Sequence, residues 1–249
     1  MIQLNGVPVI ATIFPDKTSQ VWNLAPELLL KAPAVNLVTW AFEAEAEFLP
    51  LAQLQFLLRS SGCASGLYMP YLPYARQDKT VTNTQTFALR PFLSLLSTME
   101  FETISAFDPH NESAVKEYLN NFTSISPLTA INAAIAQLKP DLICFPDAGA
   151  QSRYAHLIPQ PSLFATKVRN QSNGVIESLT VDGDYQNKVV LIIDDICDGG
   201  MTFIRLAQAL KGAAQIHLYV SHGIFSKGTA VLRLAGITRL FTKEGEINE

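Results

Sequence analysis

Residues 190–202, VLIIDDICDGGMT, join a continuous apolar run to three carboxylates and two glycines. An apolar run without polar alternation is typical of a strand buried on both faces, which occurs mainly in parallel sheets covered by helices. Asp194 and Asp195 would then leave the sheet at its carboxyl edge, where open α/β folds bind their ligands. This stretch therefore predicts both the type of sheet and the position of a site.

The alternation of strand and helix patterns extends along the whole chain. Short runs rich in Val, Ile, Leu and aromatic residues alternate with stretches of helical spacing, which predicts an α/β fold with mostly parallel sheets flanked by helices. Residues 49–62 and 202–213 are the clearest predicted helices, because each has helical spacing and ends near a glycine. The predicted strands are 7–14, 35–42, 66–71, 103–107, 141–146, 162–167, 188–194 and 216–220.

These strands are too many for one small sheet, so the sequence predicts two domains. A polar stretch at 120–130, NNFTSISPLTA, contains a proline and lies near the middle of the chain. Polar segments of this kind are typical of domain linkers. We therefore expect domains at 1–125 and 126–249.

Composition limits the classes of partner. The chain has 249 residues, of which 48% are hydrophobic, and 18 Lys and Arg against 22 Asp and Glu give a net charge of −4. No block of like charge occurs, so the electrostatic footprint of a nucleic-acid-binding protein is missing. The start MIQLNGVPVI lacks the pattern of a signal peptide, and no apolar stretch is long enough to span a bilayer. We expect a cytoplasmic protein with small-molecule substrates and no nucleic-acid or membrane partner.

The cysteines Cys63, Cys144 and Cys197 are odd in number and widely spaced. This spacing fits neither a disulfide framework nor a zinc site. We expect Cys63 and Cys144 to be buried free thiols, because free cysteine is among the most buried residue types. His156 and His217 fall within predicted helical and strand residues, so we expect structural roles for both.

Polar residues follow six of the predicted strands. One such group is more often an ordinary turn than a site. Six together favour an enzyme, because the carboxyl ends of parallel strands meet at one edge of a sheet. The groups are residues 74–78, 108–110, 147–149, Lys167 with Arg169, Asp194 with Asp195, and 221–223.

The opening stretch also predicts a ligand. Adjacent carboxylates repel each other unless a cation or hydroxyl donors satisfy them, and a vicinal diol donates to both. Residues 198–202, DGGMT, predict a flexible turn before a helix, where backbone N–H groups cradle phosphate. A diol and a phosphate together describe a ribose phosphate. The P-loop and dinucleotide glycine patterns do not occur in the sequence.

These residues resemble a known family. IIDDICDGGMT (192–202) is similar to the phosphoribosyl-pyrophosphate motif shared by type I phosphoribosyltransferases and ribose-phosphate pyrophosphokinases. Further segments resemble the pyrophosphokinase branch, and together they cover nearly the whole chain. They are PYLPYARQD (70–78), FDPH (107–110), FPDAGAQSR (145–153), KVR (167–169) and SHG (221–223).

The resemblance implies two type I phosphoribosyltransferase-like domains, an N-terminal one that binds ATP and a C-terminal one that binds ribose phosphate. It implies that, with Mg²⁺, the β,γ-diphosphate of ATP is transferred to the C1 hydroxyl of ribose 5-phosphate, giving phosphoribosyl pyrophosphate and AMP. It also implies a homo-oligomer with a shared ATP site, in which a loop containing Phe14 and Asp16 reaches the adenine bound by a neighbouring subunit.

Each matching position has an implied role. Lys167 and Arg169 match a mobile loop that closes on the transferring group, and they have the charge that phosphoryl transfer requires. The implied ATP contacts are Phe14, Asp16, Arg76, Gln77, Asp78 and His110, and the implied metal contacts are His110 and Asp147. The implied ribose-phosphate contacts are Asp194, Asp195, Asp198, Gly199, Gly200, Met201 and Thr202.

Departures from the family pattern leave alternatives open. Thr18 stands where the family often has Glu near the adenine. Residues 198–202 replace the usual D-T-x-G-T, with Met201 where a small residue is common, which leaves open a larger acceptor such as ADP-ribose. A phosphoribosyltransferase and a non-catalytic regulatory relative are further alternatives, although YARQD and KVR favour an ATP site and retention of the full residue set favours an enzyme.

Overall fold

The computed structural model describes residues 1–21, 24–31, 34–79, 82, 84–169 and 176–248, and at 167–169 and 176–178 it describes the backbone alone. The chain forms two compact units, Met1–Ser126 and Pro127–Glu249. Each unit contains a mostly parallel sheet with flanking helices. The predicted α/β class is therefore confirmed.

The first unit is built on one main sheet. Its parallel strands are β5, β6, β7 and β8, and β1 pairs antiparallel with both β2 and β5. The strands lie in the order β2-β1-β5-β6-β7-β8, and β3 and β4 form a separate antiparallel hairpin. The bounds are β1 (Ile2–Leu4), β2 (Val7–Val9), β3 (Ala11–Ile13), β4 (Ser19–Val21), β5 (Val35–Trp40), β6 (Ala64–Met69), β7 (Thr103–Phe107), β8 (Phe122–Ile125), α1 (Phe48–Ser60), α2 (Leu89–Ser97) and α3 (Glu112–Lys116).

The predicted single strand at 7–14 is wrong. Its residues divide between β2, at the edge of the main sheet, and β3, in the hairpin. Ile10 lies between the two strands and is 80% exposed, and Ile13 is 64% exposed. The apolar run is therefore not buried as one strand would be, and Pro8 is tolerated because β2 is an edge strand.

The predicted helix at 49–62 is confirmed by α1. Leu51, Leu54 and Leu58 recur on one face of this helix and are fully buried in the core of the first unit. The helix ends before Gly62, whose φ of +67° is the left-handed conformation that glycine adopts at low energy. Apolar spacing and a terminal glycine thus fix this helix on the sheet.

The second unit has a longer sheet. Its strands lie in the order β11-β10-β9-β12-β13-β14-β15. The five central strands β10, β9, β12, β13 and β14 are parallel, whereas the edge strands β11 and β15 pair antiparallel. The bounds are β9 (Leu142–Phe145), β10 (Ser162–Arg169), β11 (Ile176–Val181), β12 (Val189–Cys197), β13 (Gln215–Gly223), β14 (Ile237–Thr242), β15 (Gly245–Ile247), α4 (Leu128–Leu138), α5 (Ala148–Tyr154), α6 (Met201–Ala209) and α7 (Ala230–Leu234).

β12 is buried on both faces, as its apolar run predicts. Val190 and Ile192 belong to one hydrophobic core, and Leu191 and Ile193 belong to another. All four side chains are 0% exposed. Successive residues of a strand point to opposite faces, so each face of the sheet has its own core.

The polar stretch at 120–130 contains regular structure. It includes β8 and the start of α4, and the two units divide between Ser126 and Pro127. Polar residues are compatible with β8 because it is an edge strand of the main sheet, where one side of the backbone meets solvent.

The cysteine prediction is confirmed. Cys63 and Cys144 are buried and free, as is Cys197. Burial raises the pKa of the Cys144 thiol to about 12, so this sulfur stays protonated and unreactive at neutral pH.

Within the part of the chain that is described, none of the helices has the length and apolar character needed to cross a membrane.

His217 lies in β13 and is only 1% exposed. Its Nδ1 is 2.8 Å from the hydroxyl of Thr238, while its Nε2 has no hydrogen-bond partner among the described residues. Burial lowers the pKa of His217, and the charge of Arg239 lowers it further. The folded protein therefore holds this imidazole in its neutral form.

We expect the free energy of unfolding to fall as the pH drops below about 6.5, because the unfolded chain then binds a proton that buried His217 resists. His217→Asn keeps a polar partner for Thr238 but does not titrate, so it should flatten this pH dependence. Chemical denaturation between pH 5 and pH 8 measures the effect, with exposed His156→Asn as the matched control. An unchanged slope in His217→Asn would contradict the assignment.

Candidate functional site

The polar residues of the second unit gather where β12 ends. β12 and β13 are parallel and in register there, with Asp194 beside Val220 and Ile196 beside His222. Asp195 is 4% exposed, and Asp194 is half-buried. The strand predicted at 188–194 extends further, to Cys197, so Asp194 and Asp195 do not leave the sheet as expected but lie within β12 near its carboxyl end.

Asp194 and Asp195 form a close acidic pair. The backbone N–H of Asp195 donates to Oδ1 of Asp194 over 2.9 Å. Burial raises the pKa of Asp194 well above its ordinary value, and the charges of Asp195 and Asp147 raise it further. Asp147, which follows β9, therefore acts electrostatically on the pair that follows β12.

Arg153 neutralises one member of this pair. Its Nη1 lies 3.0 Å from Oδ2 of Asp195, and the two side chains are 22% and 5% exposed. Arg153 lies on α5, the helix that Asp147 caps by accepting the N–H of Ala150 over 3.1 Å. The sequence contained a signal for this partner, because Arg153 ends the segment FPDAGAQSR and is the basic residue of that helix.

The turn at 198–202 leads directly into α6. Gly200 has a φ of +76°, and a Cβ there would come within 2.9 Å of Leu232, so glycine is required by both backbone and packing. Asp198 and Met201 are exposed, and Thr202 is half-buried. The N-cap residue of α6 is Gly200, which has no side chain to cap the helix, and backbone N–H groups at a helix start can bind an anion.

Lys227 lies beside this turn. Its Cε and Cδ are 3.6 and 3.7 Å from the position that a Cβ on Gly199 would take. The loop that carries it is fixed to the turn, because the N–H groups of Ile224 and Phe225 donate to the carbonyl of Cys197 over 2.8 and 3.1 Å. Sequence reasoning ended at the SHG segment and missed this lysine, although SKG follows three residues later.

In the first unit, the YARQD segment forms a tight turn after β6. The N–H of Gln77 donates to the carbonyl of Tyr74 over 2.8 Å, and Tyr74 has an unfavourable φ of +61°. The Tyr74 hydroxyl donates to Glu45, which raises the pKa of Tyr74 to about 12. Arg76 and Gln77 are exposed on this braced turn.

The structure brings this turn close to the FDPH segment after β7. Asn111, the residue after His110, donates from Nδ2 to Oδ2 of Asp78 over 2.8 Å. The side chain of His110 is exposed. The predicted groups at 76–78 and at His110 therefore share one edge of the first sheet.

Phe14 and Asp16 lie in the turn between β3 and β4. Phe14 is 37% exposed. Asp16 accepts from the backbone N–H of Thr18 over 3.0 Å and from its hydroxyl over 2.7 Å. The Thr18 hydroxyl lowers the pKa of Asp16. Thr18 therefore stabilises the turn, a structural role for the residue that departs from the family pattern.

Lys167 and Arg169 lie in β10, where the backbone pairs with Leu179 and Ile176 of β11. The backbone at these positions is thus a strand. Their side chains fall outside the described residues. Within the residues described, no group of three or more His, Cys, Asp or Glu is placed to hold a metal ion.

Comparisons with known proteins identify relatives named ribose-phosphate pyrophosphokinase. A ribose-phosphate pyrophosphokinase from Thermococcus kodakarensis is 30% identical over 167 residues, which cover 65% of this chain and 59% of that protein. One from Mycoplasmopsis pulmonis is 32% identical over 194 residues, covering 73% of this chain and 59% of that protein. One from Pyrococcus furiosus is 27% identical over 229 residues, covering 89% and 80%. The family resemblance of the motifs is confirmed by these relatives.

The chain aligns with about three fifths of the length of the first two relatives. No family model matches it. A crystal structure of phosphoribosylpyrophosphate synthetase from Mycobacterium smegmatis superposes with a TM-score of 0.78 at 20% identity, covering 94% of this chain and 79% of that one. This likeness confirms the fold that the sequence predicted.

Asp194→Asn should stabilise the protein without ligand. Burial and neighbouring charge raise the pKa of Asp194, so the stability that its protonated form contributes is present below about pH 3.8 and is lost as the pH rises through the higher folded pKa. An uncharged amide keeps the acceptor for the Asp195 N–H and removes the charge. We expect a gain of a few degrees in Tm at pH 8, on the order of 2–4 °C for each kcal/mol of added stability in a chain of this size.

The measurement is thermal unfolding of Asp194→Asn at pH 5 and pH 8. Exposed Asp182→Asn is the matched control, because it removes a carboxylate outside the acidic pair. Equal melting temperatures for Asp194→Asn and the control at pH 8 would contradict the prediction.

Proposed function

Because this chain is a homologue of the ribose-phosphate pyrophosphokinases, we propose that it transfers the β,γ-diphosphate of ATP to the C1 hydroxyl of ribose 5-phosphate. The hydroxyl oxygen would attack the β-phosphorus, and the bond from that phosphorus to the oxygen bridging the α-phosphate would break. The products are phosphoribosyl pyrophosphate and AMP. The observation that carries the proposal is the acidic pair Asp194 and Asp195 followed directly by the glycine turn at the start of α6.

The acceptor would bind in the second unit. Asp194 and Asp195 can accept hydrogen bonds from the two ribose hydroxyls, which relieves the repulsion between the carboxylates. The 5-phosphate would bind the N–H groups that begin α6, at 198–202, where the helix dipole also favours an anion. Lys227 lies against Gly199 and supplies a cation to the same turn.

ATP would bind in the first unit through its exposed polar residues. Arg76 can form paired hydrogen bonds to a phosphate or stack on the base, and Gln77 offers donors and acceptors on the same turn. Asp78 ends this turn, and its hydrogen bond from Asn111 joins the turn to the neighbouring His110. A contact from Phe14 and Asp16 to the adenine of a neighbouring subunit would require a homo-oligomer.

Mg²⁺ would be held mainly by the phosphates of ATP. Magnesium in such sites usually has one or two carboxylate ligands, with phosphates and waters completing the shell. Asp147 offers one carboxylate, half-buried beside the acidic pair. The imidazole nitrogen of His110 is a less suitable ligand for this hard cation. When bound, the ion would neutralise charge on the transferring phosphates.

The choice of acceptor is tested by AMP release from ATP and Mg²⁺ with ribose 5-phosphate or ADP-ribose. We expect release with ribose 5-phosphate, because one anion at the turn and one diol at the acidic pair account for its polar groups. AMP release with ADP-ribose alone would favour the larger acceptor. Met201 is 50% exposed, so the turn is open to solvent at this residue and could accommodate a larger group. ATP binding without turnover on either acceptor would indicate a regulatory relative, and no ATP binding would indicate a phosphoribosyltransferase.

Lys167→Ala should lower kcat by roughly 10³-fold, the scale expected when a cation that stabilises a transferring phosphoryl group is removed. The matched control is Lys188→Ala, which removes a surface lysine 3.9 Å from Asp184. Steady-state AMP release measures both variants, and binding of ribose 5-phosphate to Lys167→Ala should remain. Wild-type turnover in Lys167→Ala would remove this residue from the catalytic site.

A further inference from the structure

Asn111 joins the two segments of the first unit that carry the proposed nucleotide contacts. Its Nδ2 donates to Oδ2 of Asp78 over 2.8 Å, and its Oδ1 accepts from the backbone N–H of Ala114 over 3.1 Å. The backbone donor fixes the amide orientation, so Asn111 presents a donor to Asp78. Asn111 lies one residue beyond the FDPH segment, and the family resemblance implies no role for it.

The YARQD turn is braced on its other side by separate contacts. The carbonyl of Tyr74 accepts from the N–H of Gln77 over 2.8 Å, and the carbonyl of Gln77 accepts from the N–H of Leu89 over 3.2 Å. Tyr74 itself has a φ of +61°, which costs energy for a residue with a side chain. A strained turn persists only where surrounding contacts hold it, and the bond from Asn111 to Asp78 holds its far end.

Arg76 and Gln77 are exposed between these braces, so the turn sets the backbone positions from which their side chains extend. His110 depends on the same amide, because Asn111 follows it directly and caps the start of α3. The Asn111 side chain thus links the YARQD turn to the start of α3, the two segments that carry the proposed ATP contacts.

We propose that Asn111 is a positioning residue for the nucleotide: it fixes Asp78 and the start of α3, and so holds Arg76, Gln77 and His110 in one arrangement before ATP binds. This inference rests on the proposed function in one respect, that these residues contact ATP. Holding them in place reduces the conformational freedom that binding would otherwise remove. Asn111 acts through Asp78 and has no contact with the ligand.

Asn111→Ser separates positioning from folding. Serine caps a helix nearly as well as asparagine, but its side chain is too short to reach Asp78. We expect ATP to bind Asn111→Ser about tenfold more weakly, in line with the loss of one hydrogen bond to a charged group. Isothermal titration calorimetry with ATP on the full chain measures this. The KM for ribose 5-phosphate should match that of Asn120→Ser, an exposed asparagine in the same unit.

A double-mutant cycle tests whether Asn111 acts through Asp78. Asp78→Ala removes the partner, so adding Asn111→Ser to it should weaken ATP binding by less than about twofold more. Full additivity of the two changes would overturn the proposal. Wild-type affinity for ATP in Asn111→Ser would also overturn it, as would a rise in the KM for ribose 5-phosphate above that of the Asn120→Ser control.

Failure of this inference and failure of the proposed function give different results. Wild-type protein that binds ATP but releases no AMP contradicts the diphosphate transfer, while the calorimetric comparison still decides the role of Asn111. Wild-type protein that releases AMP alongside an unaffected Asn111→Ser contradicts the positioning role alone. Wild-type protein that does not bind ATP overturns both.

Discussion

The burial of β12 on both faces constrains the second unit. Val190 and Ile192 pack into one core and Leu191 and Ile193 into the other, so a polar side chain anywhere along this run would lie in an apolar core. The first carboxylates, Asp194 and Asp195, therefore appear only near the carboxyl end of the strand. Asp195 is still 4% exposed there, and its charge requires the ion pair with Arg153, since a buried unpaired carboxylate is strongly destabilising.

The acidic pair and the glycine turn share a property: each is less favourable in the free protein than it would be with a ligand. Burial and repulsion raise the pKa of Asp194, and the N-cap residue of α6 is a glycine, which provides no side-chain cap. Hydroxyl donors would relieve the repulsion at Asp194 and Asp195, and an anion would accept hydrogen bonds from the N–H groups at the start of α6. Sites of this kind reduce folding stability and are retained where binding depends on them.

The sequence predicts the elements whose signals are local. β12 could be predicted because its apolar run is continuous, and α1 because apolar spacing and Gly62 agree. The single strand predicted at 7–14 was wrong because continuous hydrophobicity alone does not distinguish a core strand from exposed edge strands. Asp194 and Asp195 could be located at a strand end, whereas Arg153, Lys227 and Asn111 could not be assigned. Their roles depend on partners that the fold brings close, and only tertiary structure specifies those.

The two units prepare their proposed ligand contacts in different ways. In the second unit, buried Asp195 is fixed by charge, because a low-dielectric surrounding makes its pairing with Arg153 strong and directional. In the first unit, Arg76 and Gln77 are exposed, and solvent screens the charge of Arg76 and weakens ion pairs there. The backbone of this segment is instead held by the turn at Tyr74 and by the amide bridge at Asn111.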